Sequence, residues 1–138
     1  MKLFLDIITP TKVVLSEEID ELTIPTVNGE ISVLPNHVDL LTKIIPGEMI
    51  IKKNNKTEPF AIAGGFIEIT NNHINVLADY ATHVDDIEIA KVEEAKQRAE
   101  KAMKEKDKEL EYEQLQDDIR MAALQLKVVR KHKSSARH

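Results

Sequence analysis

All four glycines and all five prolines of this 138-residue chain lie before residue 66, so nothing after Gly65 carries a strong backbone breaker. A chain punctuated this way folds as two different objects. Up to about residue 82 the pattern is one of short β-branched and aliphatic runs, at 3–8, 12–15, 21–26, 30–34, 48–53, 60–63, 66–70 and 73–77. The links between several of them are good hairpin turns: Val27-Asn28-Gly29-Glu30, Asn54-Asn55-Lys56-Thr57 and Thr70-Asn71-Asn72-His73. Asparagine and glycine tolerate a left-handed backbone there, and antiparallel hairpins are the expected connections. Many strands without an intervening helix bury more surface as two packed antiparallel sheets than as one. A β-sandwich or flattened barrel is therefore expected rather than a doubly wound fold.

At Asp85-Asp86 the period changes. Two acids ahead of Ile87 suit the exposed amides and positive end of a helix, which is expected to begin there. Along it Ile89, Val92, Ala95, Ala99, Ala102 and Met103 recur at three- and four-residue spacing, an apolar face built mostly of alanine. After the charged stretch 104–109, the residues Tyr112, Leu115, Ile119, Ala122, Leu126 and Val129 form a heptad-like seam. Two antiparallel helices joined near 105–108 would bury both stripes. No glycine or proline enforces that turn, so the sequence permits either a closed hairpin or one extended helix. The expected domains are 1–84, a sandwich; 85–131, a helical hairpin; and 132–138, a basic tail.

Charge divides the chain at the same place. Residues 1–86 hold 6 Lys and Arg against 13 Asp and Glu, net −7, while 87–138 hold 13 against 11, net +2. From Lys127 onward there are five basic residues and no acid, a cationic end suited to an acidic surface. With three Phe, two Tyr and no Trp the core must be mainly aliphatic. The absence of cysteine excludes disulfides, thiolate metal sites and cysteine nucleophiles, and a cytoplasmic compartment is the default. The N-terminal apolar run, broken by Asp6, is too short for a signal peptide. No stretch approaches the roughly 18 apolar residues of a membrane span, so any membrane association is expected to be indirect.

The search for chemistry is mostly negative. Gly64-Gly65 lacks the Gly-Lys-Ser/Thr of a phosphate loop and leads into a strand, which reads as a bulge or close backbone contact. The five histidines show none of the paired spacings of a zinc site, and no metal is expected. No nucleophile motif or grouped acid-base constellation is visible, so an enzyme is not expected. The basic cluster is short, without aromatic interleaving, and belongs to an acidic chain, which disfavours nucleic-acid binding. These features describe a protein that binds proteins. One segment stands out: Leu34-Pro35-Asn36-His37 makes a sharp turn followed by Val38, Leu40, Leu41, Ile44 and Ile45. It reads either as a corner between two sheets, with His37 hydrogen-bonded inside the loop, or as an apolar docking edge.

The order of several segments resembles the epsilon subunit family of bacterial F-type ATP synthases. These are Gly29-Glu30 through Leu34-Pro35-Asn36-His37 with Leu40-Leu41-Thr42, then Ala63-Gly64-Gly65-Phe66 with Glu68, then Val76-Leu77-Ala78-Asp79, and the helix pair ending Gln125-Leu126-Lys127-Val128-Val129. The matching stretches run in family order over almost the whole chain. Where the family usually has glycine this chain has Asn36, which also tolerates positive φ.

The resemblance implies an antiparallel β-sandwich of about ten strands followed by a two-helix antiparallel hairpin. It implies a non-catalytic subunit of the central rotor stalk, peripheral at the cytoplasmic face of the cell membrane. Such a subunit couples proton-driven rotation of the c ring to ATP synthesis, and its C-terminal helices inhibit ATP hydrolysis. By position, Asn28, Gly29 and Glu30 would face the c ring, His37, Leu40 and Leu41 the gamma subunit, and Lys127, Arg130 and Lys131 the beta subunit when the helices extend. Some family members also bind a regulatory ATP through a motif Ile/Leu-Asp-x-x-Arg-Ala. The equivalent segment here is Ile87-Glu88-Ile89-Ala90-Lys91-Val92, where lysine lacks arginine's planar fork. Ile87, Arg98 and Arg130 are the implied ATP contacts, and no cofactor is required. The competing reading is a free-standing adaptor, its sandwich binding one partner and its hairpin dimerising as a four-helix bundle.

Overall fold

The computed structural model describes residues 2–104 and 109–136 of the chain. The chain divides into two compact units between His83 and Val84. The first is a sandwich of ten strands: β1 (Leu3–Ile8), β2 (Val13–Ile19), β3 (Glu21–Thr26), β4 (Gly29–Val33), β5 (Leu40–Lys43), β6 (Gly47–Lys53), β7 (Lys56–Ala63), β8 (Phe66–Thr70), β9 (His73–Leu77) and β10 (Tyr80–His83). One sheet has the order β2-β1-β9-β8-β5, the other β10-β7-β6-β3-β4.

Period-two alternation decides which side chains face inward. On β1, Leu3, Leu5 and Ile7 are buried while Phe4, Asp6 and Ile8 face out; on β8, Ile67 and Ile69 are buried between outward Phe66, Glu68 and Thr70. Leu22, Ile24, Met49, Ile51, Ile74 and Val76 continue the same aliphatic core, in which Phe60 is the one aromatic side chain.

The asparagine turns behave as their composition requires. Asn54 and Asn55 have φ of 52° and 64°, Asn71 and Asn72 49° and 63°, so both central residues of the β6–β7 and β8–β9 hairpins are left-handed. That twist matches the right-handed twist of the flanking strands. Asn36 also has positive φ, 69°, as the Leu34-Pro35-Asn36-His37 turn needs. Gly64 and Gly65 (φ 69° and 92°) form the close backbone contact read from sequence: a Cβ on Gly65 would meet the Leu77 carbonyl and lie 2.9 Å from Ala78 Cα.

Three features differ from the sequence reading. β5 and β10 are additions to the sequence reading: each is four residues long, too short for alternation to register, and β5 lies inside the apolar run 38–45, where neighbouring apolar residues mask the period. β1 pairs β9 in parallel, Phe4 opposite His73 through Ile8 opposite Leu77, whereas every other pairing is antiparallel. The two strands are joined by most of the sandwich rather than a hairpin, so no turn dictates their direction.

The third difference concerns the helices. Asp85 and Asp86 do not open the α-helix; they complete a single 3-10 turn, Val84–Asp86, closed by Ile87 N–H donating to the Val84 carbonyl at 3.2 Å. The first α-helix, α1 (Ile89–Lys104), starts three residues later, where the Glu88 carbonyl accepts from Val92 N–H at 3.1 Å. A short acidic pair caps a 3-10 turn as readily as a helix, and sequence does not separate the two. The second, α2 (Glu109–Ala136), runs past residue 132, where a tail was expected, because Lys, Ser and Ala there offer no breaker. The expected connection at 105–108, the side chain of Tyr112 and those of residues 133–138 lie outside the described residues. α1 and α2 pack antiparallel, Glu93 near the start of α1 meeting Arg130 near the end of α2. Ala99 is the buried residue of α1, while on α2 burial deepens from Leu115 and Ile119 to Ala122, Leu126 and Val129.

Candidate functional site

The first surface is the β3–β4 turn. Thr26 stands opposite Gly29, leaving Val27 and Asn28 as the two-residue loop, and Gly29 takes φ 99° with open space where a Cβ would be. Residues 27–30 are all exposed. Thr26 Oγ1 donates to the Gly29 carbonyl at 2.7 Å and accepts from Asn28 N–H at 3.1 Å, while Asn28 Nδ2 donates to Thr42 Oγ1 at 3.0 Å. The turn therefore presents the Glu30 carboxylate and the Gly29 backbone on a braced support.

The second surface begins at the Leu34-Pro35-Asn36-His37 corner, where the chain crosses from one sheet to the other between β4 and β5. His37 N–H donates to the Leu34 carbonyl at 3.2 Å and its Nδ1 to the Val38 carbonyl at 2.7 Å, so the imidazole is held within the loop. Asn36 N–H donates to Asn72 Oδ1 at 2.6 Å, tying the corner to the β8–β9 turn. Leu40 and Leu41 part company on β5: Leu40 packs on the core, while Leu41 is 67% exposed on the outer face. The same outer face carries apolar side chains that sequence reasoning missed, although Leu41 itself stands opposite Glu68 and it is Lys43 that stands opposite Phe66. Ile8, Leu77 and Phe66 lie in register across β1, β9 and β8, all facing outward, with Phe66 52% and Leu77 53% exposed. Alternation in FIEIT and HINVL already put Phe66 and Leu77 opposite the buried positions. Their alignment needed the parallel β1–β9 register, which joins residues about 69 apart.

The same outer face carries Asp6, whose carboxylate accepts from the Ser16 hydroxyl at 2.6 Å and from His73 Nε2 at 2.8 Å. These bonds, Ser16 first, hold Asp6 below its ordinary pKa. The serine and the imidazole both donate to the carboxylate and do not touch each other in that arrangement, so the trio is a structural clasp and not an activated nucleophile. Asp20 is likewise held down, by Lys2 and the Asn54 amide. Among the described residues no group of His, Asp or Glu is placed to hold a metal ion.

The helical unit brings together part of what sequence proposed. Arg130 donates to Glu93 at 2.7 Å, and Lys127 is exposed one turn earlier. Between the helices lies a cleft of about 320 Å³ lined by Val92, Ala95, Met121 and Ala122, with Lys91 and Asp118 beside them. Ile87 is buried, Arg98 is exposed, and neither they nor Arg130 line this cleft. Within the motif-like segment, Glu88 and Lys91 pair with each other at 3.2 Å.

Comparison with known proteins gives this geometry a lineage. Residues 2–84 match the family model described as ATP synthase, Delta/Epsilon chain, beta-sandwich domain. The chain is 38% identical over 130 residues to the ATP synthase epsilon chain of Herpetosiphon aurantiacus, covering 94% of this chain and 96% of that one. It is 42% identical over 107 residues to the ATP synthase epsilon chain of Desulforamulus reducens, covering 78% and 81%. Its fold also resembles a chain in the mitochondrial ATP synthase OSCP/F1/c-ring assembly of Euglena gracilis, with a TM-score of 0.65 at 19% identity over 98% of this chain and 81% of that one. Sandwich, helix pair and sequence agree, and the chain belongs to the family of the ATP synthase epsilon chain, a non-catalytic subunit of the ATP synthase complex.

Proposed function

We propose that this chain is a rotor subunit of the ATP synthase central stalk that couples proton-driven rotation of the c ring to ATP synthesis. In this reading the β3–β4 turn, Asn28 to Glu30, meets the polar loops of the c ring. The outer face around Leu41, Phe66 and Leu77, with His37 at its corner, docks the gamma subunit. The observation that carries the reading is the outward row Ile8, Leu77 and Phe66, bounded on β5 by Lys43 opposite Phe66, with Leu41 at the next outward position along that strand. Scattered exposed apolar residues are ordinary, whereas an aligned row on a sheet face suits a protein partner.

The helical unit supplies regulation. Closed, it packs α1 on α2; opened, it frees the seam of α2 and the cations Lys127, Arg130 and Lys131 for the beta subunit, where they oppose ATP hydrolysis. Two arrangements that bury comparable apolar area make such a switch responsive to partners. Among the described residues no helix is long and apolar enough to cross a membrane, and the reading places the chain at the cytoplasmic membrane face through its partners. The test is isolation of the assembly from detergent-solubilised membranes through an affinity tag on this chain. The reading expects gamma and c subunits to be recovered with the tagged chain, and the recovery of gamma to fall in Phe66→Glu with Leu77→Glu. Recovery of the tagged chain alone, as a dimer, would instead establish the adaptor.

A further inference from the structure

We infer that Thr26 and Thr42 are positioning residues that tie the β3–β4 turn to the β5 edge, so that the two proposed partner surfaces move as one body. The inference deepens the reading above and rests on it for the identity of the surfaces. Among the described residues Thr26 and Thr42 are the buried polar side chains, 1% and 7% exposed. They come from different sheets, β3 and β5, and both converge on Asn28. Valine fits such a site at least as well on apolar grounds, and a buried hydroxyl is tolerated only when bonded. Each hydroxyl here is spent on the turn: Thr26 on Asn28 N–H and the Gly29 carbonyl, Thr42 on the Asn28 amide.

The backbone makes the same connection. Val27 N–H donates to the Lys43 carbonyl at 3.0 Å, Ile45 N–H to the Pro25 carbonyl at 3.2 Å, and Thr26 bridges Ile44. Ile44 N–H in turn donates to the Gly65 carbonyl at 2.9 Å, next to Phe66. Leu41 and Lys43, the outward neighbours of Thr42, and Phe66 beyond Gly65 are thus one or two bonds from the turn. A free hairpin tip bends under load, whereas this one hands a displacement at Asn28–Glu30 to the strands carrying the apolar row.

The test uses the full chain and the assembled complex. Thr42→Val removes the hydroxyl that receives Asn28 Nδ2 and keeps the branched shape; Thr42→Ala removes it without placing a methyl group against Asn28 and serves if valine is not tolerated. Loss of one net hydrogen bond predicts that amide hydrogen exchange at Asn28 and Gly29 rises about five-fold. Thr42→Ser is expected to restore it. In reconstituted vesicles the hydroxyl-free variants are expected to lower proton-driven ATP synthesis while gamma is retained, again with rescue by serine. Unchanged exchange, or failure of serine to rescue, would overturn the bracing role, and raised exchange with full coupled synthesis would overturn its transmission to the partner surfaces. Glu30→Lys keeps the two questions apart: if it leaves synthesis intact, the assignment of the turn as a c-ring surface fails, while the exchange data still decide the bracing.

Discussion

Two alanines four residues apart on the same stripe of α1 are expected to respond in opposite directions to the same substitution. Ala99 is 6% exposed and is the buried residue of the helix, so leucine there must displace α2. Overfilling a close contact costs about 1–3 kcal/mol, which is roughly 5- to 150-fold in the opening equilibrium of the hairpin. Ala95 instead lines the cleft with Val92, Met121 and Ala122. Leucine there adds three carbons, worth about 2.4 kcal/mol if wholly buried and about half that in a cleft open to solvent. Alone, a helix as short as α1 is marginal, so its amides report the packing directly. Hydrogen exchange followed by mass spectrometry should show amides 92–103 deprotected in Ala99→Leu and protected several-fold in Ala95→Leu. Protection in both would refute the reasoning, because the side chain at 99 would then be reaching the cleft rather than parting the helices.

Other expectations concern the sandwich and the ion pairs. Gly65→Ala forces a side chain into a left-handed conformation with its Cβ against the Leu77–Ala78 backbone, and a loss of about 3 kcal/mol is expected in urea unfolding. Because Asp6 is held below its ordinary pKa in the fold, its contribution is fully present above the unfolded value and is lost as pH falls through the folded one. Asp6→Asn should therefore lower stability at neutral pH and flatten the acid limb below about pH 4, read from unfolding midpoints across pH. Arg130→Ala removes an ion pair whose side chains are 63% and 44% exposed, so a change of about 0.5 kcal/mol is expected in thermal unfolding. A larger loss would mean that the pair clamps the hairpin.

The legibility of the molecule in its sequence followed the range of the forces involved. Local signals were plain. Asn54-Asn55 and Asn71-Asn72 marked left-handed turns, alternation located β1, β3, β8 and β9 to the residue, and the change of period after residue 84 marked the helices. Where two local structures satisfy the same residues, position slipped: Asp85-Asp86 served a 3-10 turn, and α1 began at Ile89. The face proposed as an interface was half visible. Leu41 lay in a segment singled out by its apolar density, but Phe66 and Leu77 looked like ordinary strand residues. Only the pairing of β1 with β9 and of β9 with β8 sets Ile8, Leu77 and Phe66 in one row. The bracing hydroxyls were invisible for the same reason, since Thr26 and Thr42 meet Asn28 through the contact of two sheets.

The central claim is that one sandwich presents two different surfaces to two different partners, and site-directed photo-cross-linking in the assembled enzyme tests it most directly. A photoreactive side chain at position 30 should capture the c subunit, and one at position 66 should capture gamma. Capture of one and the same partner from both positions, or of another copy of this chain, would contradict the account.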